Sequence, residues 1–379
     1  MFQSVPIWMM IAGFLLVLGP LVTLHELGHY LVGRLFGVKA DAFSVGFGKE
    51  IAGRTDANGT RWKLSALPLG GYVQFKGDMN PASIPDAKAR RDLTPEQRDG
   101  SFQQATLWQR ALIVAAGPAT NLIVAVLIFA GFNLAYGTPV AVSPQDENVV
   151  VKFMDSSPAR AAGIEVGDRI VAIDGEPMPD YRTVQRTISL QPNATLDIAV
   201  ERGGTERTIP VTTRSFAVTD RFGNESTVGL IGIESRATEM AFEPVGPFTA
   251  IALGFRQCID IFDMMITGIV QIVSGDRSVK ELGGPFKIAK FSGEQLSLGF
   301  ASFVWFAAAI SLNLAFINLL PIPALDGGHL AFYAAEAVRR KPIGPRGTEY
   351  AYRAGVALVL MLMLFVTVND IVSLPIFGS

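Results

Sequence analysis

Two histidines and a glutamate stand close together near the N-terminus, in the segment LHELGHYLVG at residues 24–33. His25 and His29 are four residues apart, so on a helix both imidazoles lie on one face, one turn apart. Two imidazoles in this arrangement can bind one Zn²⁺ ion, and Glu26 can take the proton of a water that zinc acidifies. The pattern therefore predicts a hydrolytic zinc site. The simpler alternative is two interfacial histidines next to a glutamate that ends a helix.

A catalytic zinc site usually has three protein ligands and one open position. Candidates for the third ligand are Asp326 and His329, in the segment NLLPIPALDGGH at residues 318–329. Asp326 is followed by Gly327 and Gly328, which let the backbone turn tightly near a site. The residues alone leave both candidates open.

The composition places these residues in a membrane protein. Hydrophobic residues make up 49% of the 379 residues, charged residues only 17%, and the mean hydropathy is +0.35. Apolar runs predict four spans, at residues 5–24, 111–136, 295–325 and 354–369. Placing an ionisable side chain at the middle of the bilayer costs roughly 2.5–3.5 kcal/mol. Because His25, Glu26 and His29 are tolerated together at the end of a span, the zinc site is favoured over the simpler alternative.

Charge and cysteine usage exclude other classes. Cys258 is the only cysteine, so the chain has no intrachain disulfide and no cysteine-based zinc site. The net charge of −2 gives no indication of a nucleic-acid partner. The excess of Lys and Arg in loops 30–109 and 339–346 predicts that both are cytoplasmic. Both termini and the middle region then lie outside. The first and third spans end at the same face, which brings the histidines and Asp326 together near the cytoplasmic side.

The middle of the chain predicts a small soluble domain. Residues 145–215 alternate short strands with two short helices and carry Gly-Asp, Asp-Gly and Gly-Gly turns, a pattern that resembles a bacterial PDZ domain. Such a domain can bind a peptide by strand addition, or act as a bulky gate that excludes substrates with large outer domains. Residues 78–102 predict a solvated loop. Residues 244–275 predict an amphipathic helix rather than a fifth crossing.

Several motifs together resemble one family over nearly the whole chain. They are HELGH at 25–29, PLGGYVQF at 68–75, WQRALIVAAGPATN at 108–121, GGPFKIAK at 283–290 and NLLPIPALDGG at 318–328. The chain resembles the site-2 protease family of intramembrane zinc metalloproteases, of the bacterial regulator of sigma E protease type. The resemblance implies that His25, His29 and Asp326 bind Zn²⁺ and that Glu26 is the catalytic base. One departure is that this chain has room for a single PDZ-like domain rather than two.

A protease that cuts a transmembrane helix must unwind it and offer its freed backbone new partners, because lipid offers none. Breaks at prolines in the third span and a strand with a free edge in the first loop meet this need. The residues predicted to line the substrate path are Gly70, Gly71, Asn121, Asn313, Asn318, Pro321 and Pro323. The alternatives are an ordinary hairpin, a simple helix end and, for the small residues around Gly117, close helix packing.

The predicted fold is a polytopic α-helical membrane protein of about four spans with an inserted α+β PDZ-like domain. Its predicted segments are a first span with HExxH (1–30), a cytoplasmic loop with a β-hairpin-like part (31–107), a second span (108–140), the PDZ-like domain (145–215), a connecting strand and amphipathic helix (216–294), a third span (295–328), a cytoplasmic loop (329–350) and a fourth span with its tail (351–379).

The resemblance implies a multi-pass protein of the bacterial inner membrane. Its expected substrate is a single-span membrane protein, an anti-sigma factor already cut by an upstream site-1-type protease, and signal-peptide remnants form a second class. Two other functions stay open. One is a membrane-anchored zinc peptidase for soluble peptides, and the other is a catalytically silent PDZ scaffold.

Overall fold

The computed structural model describes residues 5–77, 100–141, 148–219, 225–235, 240–275, 279, 283–341 and 345–372. Its helices are α1 (Ile7–Leu35), α2 (Leu107–Tyr136), α3 (Pro158–Ala162), α4 (Tyr181–Ser189), α5 (Pro247–Ser274), α6 (Pro285–Ser297), α7 (Phe300–Leu319), α8 (Asp326–Arg339) and α9 (Pro345–Val372). Its strands are β1 (Ala40–Thr55), β2 (Arg61–Phe75), β3 (Thr138–Ala141), β4 (Val150–Phe153), β5 (Arg169–Ile173), β6 (Glu176–Pro177), β7 (Thr195–Arg202), β8 (Thr205–Thr212), β9 (Arg214–Thr219), β10 (Glu225–Leu230), β11 (Ile233–Ser235) and β12 (Met240–Glu243). Most of the predicted solvated loop, at 78–99, lies outside the described residues.

Five helices in the described part of the chain are long and apolar enough to cross a membrane: α1, α2, α5, α7 and residues Gly347–Ile371 of α9. Four of them coincide with the predicted spans. The fifth, α5, is the segment predicted as an amphipathic helix. Length and composition do not decide whether α5 crosses, so the count of four spans stays a prediction.

The chain divides into two compact units. The first holds most of residues 131–250 together with 259–281 and contains the PDZ-like domain. Four antiparallel strands form a sheet in the order β6-β5-β7-β8, and β4 pairs with β11. Helices α3 and α4 begin at the N-caps Ser157 and Asp180, whose side chains accept hydrogen bonds from the main chain three residues on. This mixture of short strands and two helices is the predicted α+β module.

The turns of this domain follow from their residue types. The hairpin between β7 and β8 turns at Gly203 and Gly204, which have φ values of 58° and 80°. Positive φ at both central residues is the requirement of a type I′ hairpin turn, which glycine meets without strain. The core beneath the sheet is aliphatic and includes Ile170, Ile198 and Val200, all fully buried.

The segment after residue 215, predicted as a connection, contributes to the same domain. Ile233 of β11 lies opposite Phe153 of β4, and Ile231 and Ile233 pack into the aliphatic core. The buried strand therefore extends the PDZ-like module through Ser235. The cause is a long-range pairing that the local pattern near residue 230 does not reveal.

The second unit contains α1, α2 and α6 to α9 with the β1–β2 hairpin. Helix α1 runs through the HELGH motif to Leu35 without a break, although Pro20 lies inside it. Its N-terminal half packs closely on α6, since a Cβ on Gly13 would lie 2.7 Å from the carbonyl oxygen of Ser292. The motif is thus held on a continuous helix rather than on a polar segment that follows the span.

A cluster of aromatic and aliphatic side chains fixes the hairpin against the end of α1. Tyr30 packs edge to face on Phe43 and Trp62, with ring centroids 5.8 and 5.2 Å apart. Phe75 and Phe102 stack at 5.5 Å in the same cluster, which also includes Ile113 of α2. Burying each such side chain contributes about 1.5–3 kcal/mol, so the hairpin is firmly attached beside the motif.

Candidate metal centre

The structure brings His25, His29 and Asp326 to one point. Both histidines belong to α1 and are 7% and 8% exposed, and Asp326 is the first residue of α8. The Nε2 atoms of His25 and His29 lie 3.2 Å apart. The Oδ2 atom of Asp326 lies 3.2 Å from Nε2 of His25 and 3.6 Å from Nε2 of His29.

These separations fit a tetrahedral zinc ion. Ligand atoms about 2.0–2.1 Å from a tetrahedral centre are roughly 3.3 Å from one another, which is close to all three distances. The Oδ2 atom of Asp326 is buried and makes no hydrogen bond with the described residues. An unpaired carboxylate oxygen that faces two imidazole nitrogens is stabilised by a cation, and two imidazoles with one carboxylate form a donor set that zinc accepts.

Local sequence explains how Asp326 reaches the histidines. Helix α7 ends at Leu319, and the main chain passes Pro321 and Pro323 in a nonhelical conformation in which Ala324 has a φ of 84°. Gly327 and Gly328 then lie in the first turn of α8. Added Cβ atoms there would lie 2.3 Å from the carbonyl oxygens of Leu319 and Ile322, respectively. The two glycines were expected to provide a tight turn, but their effect is to let α8 begin directly against the end of α7.

Glu26 is half-buried and turned toward strand β2. Its Oε2 atom accepts a hydrogen bond from the main-chain N–H of Val73 at 3.0 Å. A Cβ on Gly71 would lie 3.6 Å from Cγ of Glu26 and 2.7 Å from the carbonyl oxygen of Ser44. The structure therefore places Glu26 and the predicted strand segment next to each other. Gly70, with a φ of 147°, faces the ring of Phe47 instead.

Helix α2 forms one wall of the site. Nδ1 of His29 lies 2.8 Å from the carbonyl oxygen of Ile113. A Cβ on Gly117 would lie 2.2 Å from Nε2 of His29 and 2.8 Å from Cε1 of His25, so only glycine allows α2 this close. Asn121 is fully buried, with its Nδ2 atom 3.3 Å from Nδ1 of His25.

The remaining predicted residues lie further out. Asn313 and Asn318 are half-buried in α7, and no hydrogen bond of the described residues joins either of them to the three converging side chains. Pro321 and Pro323 lie in the nonhelical link before α8, as predicted. His329, the other candidate ligand, instead contacts the hydroxyl of the buried Tyr352, which is 2.9 Å from its Nε2 atom.

Sequence reasoning missed the parts of the site that act through the main chain. The N–H of Val73 and the carbonyl of Ile113 carry no signature, because every residue has the carbonyl and every residue except proline has the N–H. Gly117 was considered only for close packing between helices. The spacing of Ile113, Gly117 and Asn121, four residues each, is a signal that could have been used, since it places all three on one face of α2.

Comparison with known proteins identifies the family. The model of peptidase family M50 matches residues 13–362. A protein of Agrobacterium fabrum named as a zinc metalloprotease is 43% identical, over 96% of both chains. Another of Rhizobium meliloti is 42% identical over 94% of this chain and 95% of its own. Metalloprotease MmpA of Caulobacter vibrioides is 33% identical over 96% and 95%. Among solved structures, the PDZ domain of an SdrC-like protein from Listeria monocytogenes matches 24% of this chain and 88% of its own, at 23% identity and a TM-score of 0.19.

The chain belongs to peptidase family M50, and its several long apolar helices are those of a multi-pass membrane protein. It is a zinc-dependent metalloprotease of that family. The predicted enzyme class and the predicted cofactor are therefore confirmed.

Proposed function

We propose that this metalloprotease hydrolyses peptide bonds within or next to the transmembrane segment of single-span membrane proteins. The observation that carries the proposal is the position of the histidines. Both lie in α1, an apolar helix that is long enough to span a membrane. Residues Ile7 to Leu24 of this helix carry no charge. A metal centre built into a span is suited to a substrate that reaches it through the bilayer.

The proposed roles follow the geometry of the site. His25, His29 and Asp326 bind zinc, which when bound acidifies water and polarises a carbonyl. Glu26 receives the proton of the attacking water on its carboxylate and passes it to the leaving nitrogen. The hydrogen bond from the Val73 N–H holds the Glu26 carboxylate against strand β2.

The surroundings of the site suit an unwound substrate. A transmembrane helix that opens for cleavage exposes N–H and C=O groups that lipid cannot satisfy. The edge of β2 near Gly71 and the nonhelical link at Pro321 and Pro323 are two stretches of backbone next to the site, and both can pair with an extended chain. Asn313 and Asn318 are proposed to line the same path from α7.

The natural partners are proposed from the family resemblance. The principal substrate is an anti-sigma factor whose outer part an upstream site-1-type protease has removed, and signal-peptide remnants are a second class. The protein acts in the inner membrane of a bacterium, with its site near the cytoplasmic face and the PDZ-like domain outside. That domain either gates access by size or binds a peptide. Faster cleavage of a substrate without its outer domain, unaffected by added peptide, would support the gate.

Four crossings, without α5, are supported by contacts inside the first unit. Arg186 of the PDZ-like helix α4 lies 3.6 Å from Asp260 of α5, and Gln271 donates to the carbonyl oxygen of Leu190. Asp260 and Gln271 are about 16 Å apart along the helix. A stretch of that length beside a soluble domain leaves too little of α5 to span a bilayer. Cysteine labelling from each side of the membrane tests the assignment.

The alternative is a membrane-anchored peptidase that cuts soluble peptides. Membership in a metalloprotease family, with all four site residues present, argues against the silent scaffold. Purified enzyme in liposomes should cut a single-span reporter, and cut it faster when helix-breaking residues are placed in its transmembrane segment. The control is a soluble peptide of the same cleavage sequence. Equal cleavage of the soluble peptide and indifference to helix breakers would favour the alternative.

A further inference from the structure

One face of helix α2 supports both ligand histidines. Ile113, Gly117 and Asn121 follow one another at intervals of four residues. Ile113 contacts Nδ1 of His29 through its carbonyl oxygen, Gly117 admits both imidazole rings, and Asn121 contacts Nδ1 of His25. The main-chain oxygen of Asn121 also accepts a hydrogen bond from the Ser311 hydroxyl at 2.8 Å, which ties this face to α7.

The contact at His29 shows what a ligand histidine needs here. A carbonyl oxygen can only accept, so Nδ1 of His29 must carry the hydrogen, and the lone pair of Nε2 then faces Asp326. Histidines that bind metals usually donate their other N–H in this way, which fixes both the tautomer and the direction of the ring.

His25 has the same requirement. Its Nε2 atom faces Asp326 and His29, so its Nδ1 atom must also carry a hydrogen and find an acceptor. The side-chain amide of Asn121 lies next to Nδ1 of His25, with its Nδ2 atom nearest. In this orientation the amide N–H and the imidazole N–H are two donors that face each other, which is unfavourable. Its Oδ1 atom is buried and has no hydrogen-bond partner among the described residues. A half-turn of the amide brings Oδ1 to the N–H of His25.

We propose that Asn121 is a positioning residue. Its side-chain carbonyl accepts the Nδ1–H of His25 and so holds Nε2 toward the metal. The proposal rests on the ligand roles of His25, His29 and Asp326. It differs from the expectation that Asn121 lines the substrate path, because a substrate contact would affect cleavage but not metal affinity.

The test measures zinc affinity, by chelator competition, on the full-length protein in detergent. Asn121→Leu removes the acceptor at similar volume and should weaken zinc binding about 10–100-fold. Asn121→Asp keeps an acceptor and should stay within a few-fold of wild type. Asn313→Leu, an asparagine of α7 without a described contact to the histidines, is the matched control and should leave zinc affinity unchanged. Elution volume and helical circular dichroism report folding, and Asn121→Ala replaces the leucine variant if that variant does not fold.

The possible outcomes distinguish an error in the role of Asn121 from an error in the assignment of the metal ligands. Wild-type zinc affinity in Asn121→Leu, with zinc binding lost in His25→Ala and Asp326→Ala, would overturn the role of Asn121 alone. Zinc binding that survives His25→Ala would overturn the ligand assignment on which it rests. An equal loss in Asn121→Leu and Asn121→Asp would also contradict the proposal, because the acceptor would then be irrelevant.

Discussion

The carboxylate of Glu26 in α1 accepts a hydrogen bond from the main-chain N–H of Val73 in β2, with 3.0 Å between Oε2 and N. The two residues are 47 positions apart, and the contact joins the motif helix to the hairpin. It fixes the direction of the proposed base next to the strand edge that is proposed to receive substrate. One hydrogen bond therefore holds the proposed base, Glu26, next to the strand edge that is proposed to bind the substrate.

Val73→Pro should reduce cleavage while leaving zinc in place. Proline has no N–H, and a hydrogen bond to a charged group is worth about 1.5–3 kcal/mol, so we expect a loss of roughly tenfold or more in kcat. Val73→Ala keeps the N–H and serves as the control. Steady-state cleavage of a single-span reporter, with zinc quantified in the same samples, checks this. A similar loss in Val73→Ala would assign the effect to the side chain instead.

Gly117→Ala should disrupt the metal centre through one methyl group. The added Cβ would lie 2.2 Å from Nε2 of His29, so α2 or the imidazole must move. We expect the zinc content of the purified protein to fall well below that of wild type. Gly131→Ala in the same helix, where a Cβ meets nothing within 4 Å, should keep full zinc. Equal zinc in both variants would show that α2 does not press on the histidines.

The ion pair between Asp168 and Arg202 should make the stability of the PDZ-like domain depend on pH. Nε and one terminal nitrogen of Arg202 donate to the two oxygens of Asp168, at 2.7 and 2.6 Å. Burial raises the pKa of Asp168, but the hydrogen bonds from Arg202 and from the Glu165 N–H lower it more, so the pKa lies below its usual value. Ionised Asp168 therefore stabilises the folded domain at neutral pH. That contribution is lost as the pH falls below about 3.9 toward the lower pKa of the folded state.

Asp168→Asn should destabilise the domain by about 2–3 kcal/mol at pH 7, and the difference from wild type should shrink in acid. Hydrogen exchange of strand β7 in the full-length protein measures the effect locally. The control is Glu201→Gln, which breaks the exposed pair with Arg169 at 3.8 Å and should change stability by less than about 1 kcal/mol. A difference that stays constant down to strongly acidic pH would contradict the role of this ion pair.

Some of this site could be read from the sequence because its residues form local patterns. The spacing of His25 and His29 fixes their shared helix face, and the Lys and Arg distribution predicts that Asp326 reaches the same side of the membrane. The contacts of Glu26 with Val73 and of His29 with Ile113 could not be predicted. They join residues that are 47 and 84 positions apart in the chain, and they use main-chain atoms that almost every residue type has, proline alone lacking the N–H. For the same reason, β11 was not recognised as part of the PDZ-like domain.

The central claim is tested most directly by Glu26→Gln, compared with wild type as purified protein in detergent. Cleavage of a single-span reporter without its outer domain and bound zinc are measured in the same samples. Glutamine keeps the shape and the acceptor for Val73 but cannot take a proton from water. We predict that cleavage disappears while about one zinc per chain remains in both proteins. Continued cleavage by Glu26→Gln, or a wild type without metal, would contradict the account.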